Sequence, residues 1–150
     1  MNKFDDAYIK KFQPMGCPKG TVLFDGFQRE CVNKEQLVDI FDGWLGDVFS
    51  DLQRGARFER YEPDTGYGGG WALENIDKVQ DRFTKDVMKY LHFEENALDD
   101  VKSTVASAFD DIESKYESQD DEGPELLNPD RKKIAEKLGG TLFAYKIQDE

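Results

Sequence analysis

Apolar side chains recur at helical spacing between Val32 and Gly55, and this is the clearest pattern in the chain. They cover roughly half of a helix circumference at ~100° per residue. The apolar positions are Leu37, Val38, Ile40, Phe41, Trp44, Leu45, Val48, Phe49 and Leu52. Asn33 and Gln36 have the spacing of a capping box, and Gly55 fits the left-handed residue that ends many helices. The pattern predicts a long central helix that the rest of the fold covers.

Shorter segments on both sides of this helix predict strands. Asp25-Gly26 separates two apolar runs, and this dipeptide supplies the positive φ angles of a tight hairpin turn. Residues 56–62 alternate apolar and polar side chains, and residues 70–73 follow a glycine-rich turn as a partner strand. Residues 141–147 are apolar on both faces of a strand, which predicts an interior strand. A short helix before it begins at Asn128 and stops at Gly139-Gly140.

Two further helices are predicted in the middle of the chain, and they form a helical hairpin. Asn75 caps the first, and the second extends from about Glu95 to Tyr116. Another short helix is predicted at residues 4–12, before Pro14. The fold class is therefore α+β, with a small antiparallel or mixed sheet of three to five strands packed against four or five helices.

The length of 150 residues favours one globular domain over residues 1–150, with a mobile acidic loop at about 117–127. No apolar run reaches the ~18 residues that span a membrane, and residues 1–8 have no signal-peptide character. We therefore expect a cytoplasmic protein without a membrane partner. Cys17 and Cys31 are then expected to be reduced, although the sequence does not decide whether they pair. Their spacing does not form a zinc site.

The net charge of −12 is concentrated in one segment. Residues 94–126 contain 12 acidic and two basic residues, which gives −10. Direct binding to DNA or RNA is disfavoured, because phosphate neutralisation requires lysine and arginine. The acidic balance favours a basic partner protein instead. The oligomeric state is left open.

The helix predicted from Glu95 to Tyr116 carries the densest acidic pattern. Asp99-Asp100 and Asp110-Asp111 recur 11 residues apart, which is about 16 Å along a helix. The candidate partner-binding residues are Glu95, Asp99, Asp100, Asp110, Asp111, Glu113, Glu117, Asp120 and Asp121. Two interpretations stay open. The face is an ordinary solvated surface, or its carboxylates mimic a phosphate backbone and attract a protein with a basic nucleic-acid-binding groove.

The mimicry interpretation leads to our first hypothesis of function. It is a non-enzymatic acidic inhibitor or regulator that occupies the basic surface of a partner that handles nucleic acid. Anti-defence proteins of phages and plasmids, and immunity proteins against nuclease toxins, are functional classes with this physics. That comparison is an analogy of mechanism and not a resemblance of sequence.

A second hypothesis, from another class, is a small-molecule-binding domain or enzyme. Its pocket would lie between Arg54 and Trp71, with His92 as an acid or base. The candidate ligand-binding residues are Arg54, Arg57, Arg60, Tyr67, Trp71 and His92. Ion pairing of the arginines with neighbouring acids is the simpler explanation of that cluster. A structural or assembly component with merely solvated acidic faces is the third hypothesis.

The sequence contains no motif for a specific chemistry. His92 is the only histidine, so a two-histidine mechanism is excluded. Gly66–Gly70 lacks the G-K-[ST] ending of a phosphate-binding loop and is better explained as a hairpin turn. The aspartate-rich stretches do not match the calcium-loop spacing. We therefore predict no catalytic residue, no metal and no cofactor.

Overall fold

A computed structural model describes residues 17–59, 70–117 and 128–149 of the chain. The fold is α+β and mostly helical. Its elements are β1 (Val22–Asp25), β2 (Arg29–Val32), α1 (Lys34–Arg54), β3 (Ala56–Glu59), β4 (Gly70–Leu73), α2 (Ile76–Tyr90), α3 (Leu98–Glu117) and α4 (Asn128–Asp149). A 3-10 helix, Glu95–Ala97, directly precedes α3. The predicted helix at residues 4–12 and most of the predicted acidic loop lie outside the described residues.

The strands form two separate antiparallel hairpins, so the predicted sheet of three to five strands is wrong. β1 pairs with β2 and β3 pairs with β4, with Val22 opposite Val32 and Ala56 opposite Leu73. The described residues place helices, not further strands, against these hairpins. Each hairpin therefore covers one part of a helical core.

In the turn of the first hairpin, Asp25 and Gly26 do not have the left-handed backbone conformation that was predicted. Among the described residues, positive φ angles occur at Gly20 and His92, and not at Gly26. A Cβ atom at Gly26 would lie 2.5 Å from Cε2 of Phe24. Glycine is therefore favoured at this position because it leaves room for the Phe24 ring.

The predicted start of α1 is confirmed. The Asn33 side chain accepts a hydrogen bond from the Gln36 amide at 2.8 Å, and the Gln36 side chain accepts one from the Asn33 amide at 2.8 Å. These two bonds satisfy amides that the first turn of a helix leaves without partners. The buried face of α1 consists of Leu37, Val38, Phe41, Leu45, Val48, Phe49 and Leu52.

α1 ends before Gly55 as predicted, but the predicted conformation of Gly55 and the predicted cap of α2 are both wrong. Gly55 has a φ angle of −99° and is not left-handed. The side chain of Asn75 makes no capping bond to α2, and its Nδ2 instead donates to the carbonyl oxygen of Asp51 at 2.9 Å. A Cβ atom at Gly55 would lie 2.8 Å from this side chain. Gly55 thus makes room for a contact that joins the end of α1 to the start of α2.

The C-terminal region is one continuous helix, which corrects the predicted short helix followed by an interior strand. α4 passes through Gly139-Gly140 without interruption. A Cβ atom at Gly139 would lie 2.9 Å from Cγ2 of Val38, so the glycine allows α4 to cross α1 closely. Leu138 and Leu142 are buried on this side of α4. Phe143, Tyr145 and Ile147 are partly buried and also pack against this helical core, which explains most of the apolar character of residues 141–147.

The core is a single apolar cluster that receives side chains from both hairpins and all four described helices. α1 packs chiefly against α4, and α2 packs against α3 as predicted. No helix among the described residues is both long enough and apolar enough to cross a membrane. This arrangement leaves one side of α3 and one side of α1 for interactions with other molecules.

Cys17 and Cys31 form a disulfide, so the expectation of reduced cysteines is wrong. Their Cα atoms are 5.5 Å apart. Cys17 precedes β1 and Cys31 lies in β2, opposite Leu23. The bond therefore ties the segment before the first hairpin to its second strand.

Candidate functional site

The acidic face of α3 is held in place by the buried side of the same helix. Val101, Val105, Phe109 and Ile112 lie in the core and are at most 1% exposed. The carboxylates fall on the opposite side because side chains three or four residues apart share one face of a helix. The exposed acidic residues here are Glu95, Asp99, Asp100, Asp110 and Glu117. They are available to a partner without any change in the fold.

Two of the predicted residues on α3 are in a different situation. Asp111 is half-buried, and its Oδ2 lies 3.6 Å from Nζ of Lys137 on α4. Its charge is therefore partly compensated within the protein. Among the described residues, no such ion pair within 4.0 Å involves Asp99, Asp110 or Glu117. Asp120 and Asp121 lie outside the described residues.

Glu113 shows how strongly negative this face is. Burial raises the pKa of Glu113, and the neighbouring charges of Glu117, Asp110 and Asp77 raise it further. Asp77 belongs to α2, so two helices contribute to the same negative field. Sequence reasoning did not assign Asp77 to the face, because its proximity depends on how α2 packs against α3. The negative field therefore extends beyond one helix.

The acidic side of α1 differs from that of α3 because basic residues compensate three of its aspartates, Asp39, Asp42 and Asp51, and leave Asp47 without an ion-pair partner among the described residues. Asp42 pairs with Arg131 at 3.0 Å, and Asp39 lies 4.0 Å from Lys132. Asp51 pairs with both Arg54 and Arg82. Uncompensated acid is consequently denser on α3 than on α1.

Only part of the alternative site between Arg54 and Trp71 lies among the described residues. Arg54 pairs with Asp51 at 2.7 Å, and Arg57 pairs with Glu74 at 2.8 Å. The Trp71 ring packs against the Phe58 ring across the second hairpin, with centroids 5.4 Å apart. Arg60 and Tyr67 lie outside the described residues. Arg54 and Arg57 therefore have the ion-pairing role that was the simpler explanation.

Among the described residues, His92 contacts the first hairpin and α4 and not the second hairpin, and these contacts give it a structural role. Its Nε2 lies 2.8 Å from Oδ2 of Asp25, in the first hairpin. Its carbonyl oxygen accepts a hydrogen bond from Nζ of Lys146 at 3.1 Å. The hydrogen bond with His92 lowers the pKa of Asp25, and Arg29 acts in the same direction. His92 thus joins the first hairpin, the segment after α2 and α4.

A groove of about 550 Å³ between α1 and α2 is the feature that sequence reasoning missed. Its walls combine aromatic rings with carboxylates and arginines. The helical spacing of Trp44, Asp47 and Asp51 is visible in the sequence, but the facing residues of α2 are not. No group of three or more His, Cys, Asp or Glu in the described part of the chain is placed to hold a metal ion.

The chain matches no protein-family model, no curated protein and no solved structure. Its function is therefore argued from the charges and contacts of its own residues. Two features carry that argument: the acidic face of α3 and the groove between α1 and α2.

Proposed function

We propose that this protein is a non-enzymatic acidic inhibitor or regulator that binds the basic, nucleic-acid-binding surface of a partner protein. The observation that carries the proposal is the exposed and uncompensated position of Asp99, Asp110 and Glu117 on one face of α3. The raised pKa of Glu113 supports it, because that shift reflects burial together with surrounding negative charge. Anti-defence and nuclease-immunity proteins act through the same physics, and the comparison is one of mechanism.

The physical basis is long-range attraction between surfaces of opposite charge. Complementary potentials accelerate association, and salt weakens the effect because it screens charges beyond a Debye length. Asp99 and Asp110 are about 16 Å apart along the helix axis, so they reach several cationic side chains of a partner at once. A groove that binds a phosphate backbone offers such a row of lysines and arginines.

The residues contribute unequally to this surface. Asp99, Asp100, Asp110 and Glu117 are exposed and contact the partner directly. Glu113 is half-buried and adds mainly to the field. Asp111 contributes least, because Lys137 already compensates its charge. Glu95 in the 3-10 helix marks the other end of the face, and Asp120 and Asp121 extend it in sequence beyond α3.

The test compares two triple variants with the same change in charge. One is D99K/D110K/E117K on the proposed face, and the other is E30K/E35K/E136K elsewhere. All six residues are exposed, and each set contains one acid in the first turn of a helix. Immobilised wild-type protein and both variants are incubated with host lysate at low and high salt. Captured proteins are identified and then challenged with double-stranded DNA.

The proposal expects wild type and the E30K/E35K/E136K variant to retain the same nucleic-acid-binding protein at low salt and to release it at high salt. DNA should displace it, because DNA and α3 occupy one basic surface. The D99K/D110K/E117K variant should lose it. Equal loss in both variants would reject the α3 face, and failure of DNA to compete would reject nucleic-acid mimicry.

A further inference from the structure

Contacts across the groove show how α1 and α2 are aligned with each other. The ring centroids of Trp44 and Tyr90 are 5.5 Å apart, and Asp51 pairs with Arg82. Rising residue numbers on α1 therefore meet falling numbers on α2, so the two helices run antiparallel along the groove. Buried Val48, Val79 and Phe83 lie beneath its opening.

One half of the groove is closed by the protein's own arginines. The Asp51 carboxylate accepts hydrogen bonds from Arg82 of α2 and from Arg54 of α1. The hydrogen bond from Arg82 is the largest cause of the lowered pKa of Asp51, and that from Arg54 also contributes. In this half of the groove, a carboxylate therefore binds guanidinium groups.

The other half presents the same kind of acid without an ion-pair partner among the described residues. Asp47 precedes Asp51 by one helical turn, and Asp86 follows Arg82 by one turn, so the two carboxylates stand on opposite walls at the same level. Among the described residues, neither has a Lys, Arg or His nitrogen within 4.0 Å. Asp47 is exposed and Asp86 is half-buried. The space between them is open to an external group.

Aromatic rings complete this half of the groove. Trp44 and Tyr90 are half-buried, and both line the cavity. Nζ of Lys89 already lies over the Tyr90 ring, 5.5 Å from its centroid, so Trp44 is the ring that is offered to an external cation. Trp44 also packs edge-to-face with Phe83, with ring centroids 5.6 Å apart and planes at 84°. An aromatic surface attracts a cation placed over it, and a rigidly packed ring loses little freedom when a ligand binds. The two carboxylates and the aromatic surface therefore select the same class of ligand.

We propose that the open half of this groove binds an arginine side chain of a basic protein partner. A guanidinium group is planar, stacks on aromatic rings and donates two parallel hydrogen bonds to a carboxylate. The groove as a whole has a volume of about 550 Å³, within the range of about 300–1,000 Å³ that is typical of ligand sites, and the proposed site is its open half. The inference does not depend on the proposed role of α3, because the groove is lined by α1 and α2.

The test uses a defined probe, the tripeptide Gly-Arg-Gly with both ends blocked. It is titrated into the full-length protein while the indole N–H signals of the two tryptophans are followed by NMR, and a Trp71→Phe variant assigns the Trp44 signal. Wild type should show a saturable shift of the Trp44 signal. The corresponding lysine peptide should bind more weakly, because an ammonium group cannot form the parallel pair of hydrogen bonds.

Three variants locate the binding site. Asp47→Asn and Asp86→Asn should each weaken binding about tenfold, since a charge-assisted hydrogen bond contributes about 1.5 kcal/mol or more. Glu35→Gln removes one charge from an exposed position of α1 outside the groove and should bind like wild type. Because Asp47 is exposed, Asp47→Asn preserves the fold and keeps the test informative even if Asp86→Asn disturbs packing.

Several results would overturn the proposal. The absence of a saturable Trp44 shift at millimolar peptide would show that the groove does not bind guanidinium. Wild-type affinity in Asp47→Asn would remove the carboxylates from the site. Equal affinity for the lysine peptide would show that the groove attracts any cation and does not select arginine.

Discussion

Gly139 sets the distance between the two helices that pack most extensively, α1 and α4. A Cβ atom there would lie 2.9 Å from Cγ2 of Val38 and 3.2 Å from its Cα, so the backbone of α1 has to move. Gly139→Ala should therefore lower the free energy of unfolding, because the usual cost of overpacking, about 1–3 kcal/mol, exceeds the gain of about 0.5–1 kcal/mol that alanine brings to a helix. Urea unfolding followed by far-ultraviolet circular dichroism measures the change.

The neighbouring glycine provides the control. A Cβ atom at Gly140 would come no closer than 3.4 Å, to Cε of the flexible Lys34 side chain. Gly140→Ala should raise the free energy of unfolding by about 0.5–1 kcal/mol, because alanine loses less backbone entropy in a helix. Equal effects of the two substitutions would contradict the close crossing at Gly139.

Glu113 and Asp51 should give opposite dependences of stability on pH. The pKa of Glu113 is raised from its ordinary 4.5 by burial and neighbouring acids. The folded protein then holds that proton more tightly than the unfolded chain, so stability falls as pH rises through this region. Glu113→Gln should stabilise the protein at neutral pH, and the gain should disappear below about pH 4.

Asp51 is the counterpart with the reverse sign. Its pKa is lowered from 3.8 by hydrogen bonds from Arg82 and Arg54. Its contribution to stability is therefore complete above its unfolded-state pKa and is lost as pH falls through the folded-state value. Asp51→Asn should destabilise the protein at neutral pH and have little effect in strong acid. Urea unfolding over a pH series checks both variants; a shared sign would refute this electrostatic explanation.

Single residues were predictable from the sequence only where their partners are near in the chain. Asn33 and Gln36 cap α1 as predicted, because both bonds of the capping box connect residues three positions apart. Asn75 was assigned to the start of α2, but it bonds to Asp51, 24 positions away. No local pattern specifies such a contact, since it depends on how two helices meet.

Among the elements, the first hairpin owes part of its stability to the disulfide between Cys17 and Cys31. The two cysteines are 14 positions apart, and closing a loop of this size stabilises a fold by about 3 kcal/mol in the chain-entropy model. A Cys17→Ser/Cys31→Ser double variant should therefore lower the free energy of unfolding by about that amount. Urea unfolding of the oxidised wild type and the variant measures it.

The same pair of cysteines tests the predicted cytoplasmic localisation. Cytosolic thiols are usually kept reduced, so the state of these two cysteines inside the cell is a test of that prediction. Protein alkylated in denaturant directly on cell lysis, without reductant, should gain no mass if the disulfide forms in the cell. The addition of two alkyl groups would show free thiols there and would remove the disulfide as a source of stability.

The helices were predictable in proportion to the regularity of their apolar faces. α1, α2 and α3 each repeat apolar residues every three or four positions, and each was predicted close to its observed bounds. α4 was divided incorrectly, because residues 141–147 satisfy both a helical and an alternating pattern. The Gly139-Gly140 pair then favoured a helix end followed by a strand, which is wrong. The glycines serve a helix crossing, and a crossing is visible only when both helices are placed.

At the scale of the whole molecule, the net charge of −12 makes the fold sensitive to salt. Like charges on α3 repel one another in the folded state more than in an expanded chain. The urea midpoint should rise when ionic strength increases from about 0.01 to 0.15 M, because the Debye length falls from about 30 to 8 Å. Urea is uncharged, so it does not itself screen the charges.

In this experiment, the two triple variants distinguish the effect of charge on α3 from the effect of the total net charge. D99K/D110K/E117K and E30K/E35K/E136K each raise the net charge by six. If repulsion is concentrated on α3, the first variant should show the smaller salt dependence. Equal slopes would mean that net charge alone matters, and the special status of the α3 face would be lost.

The packing of α4 on α1 also constrains how the chain acquires its structure during synthesis. α1 leaves the ribosome long before α4, yet α4 covers the apolar face of α1. Lys146, near the end of α4, donates a hydrogen bond to the carbonyl oxygen of His92. A nascent chain that stops before residue 128 exposes that face to water and to other chains. Burial of the apolar face of α1 therefore waits for translation of α4.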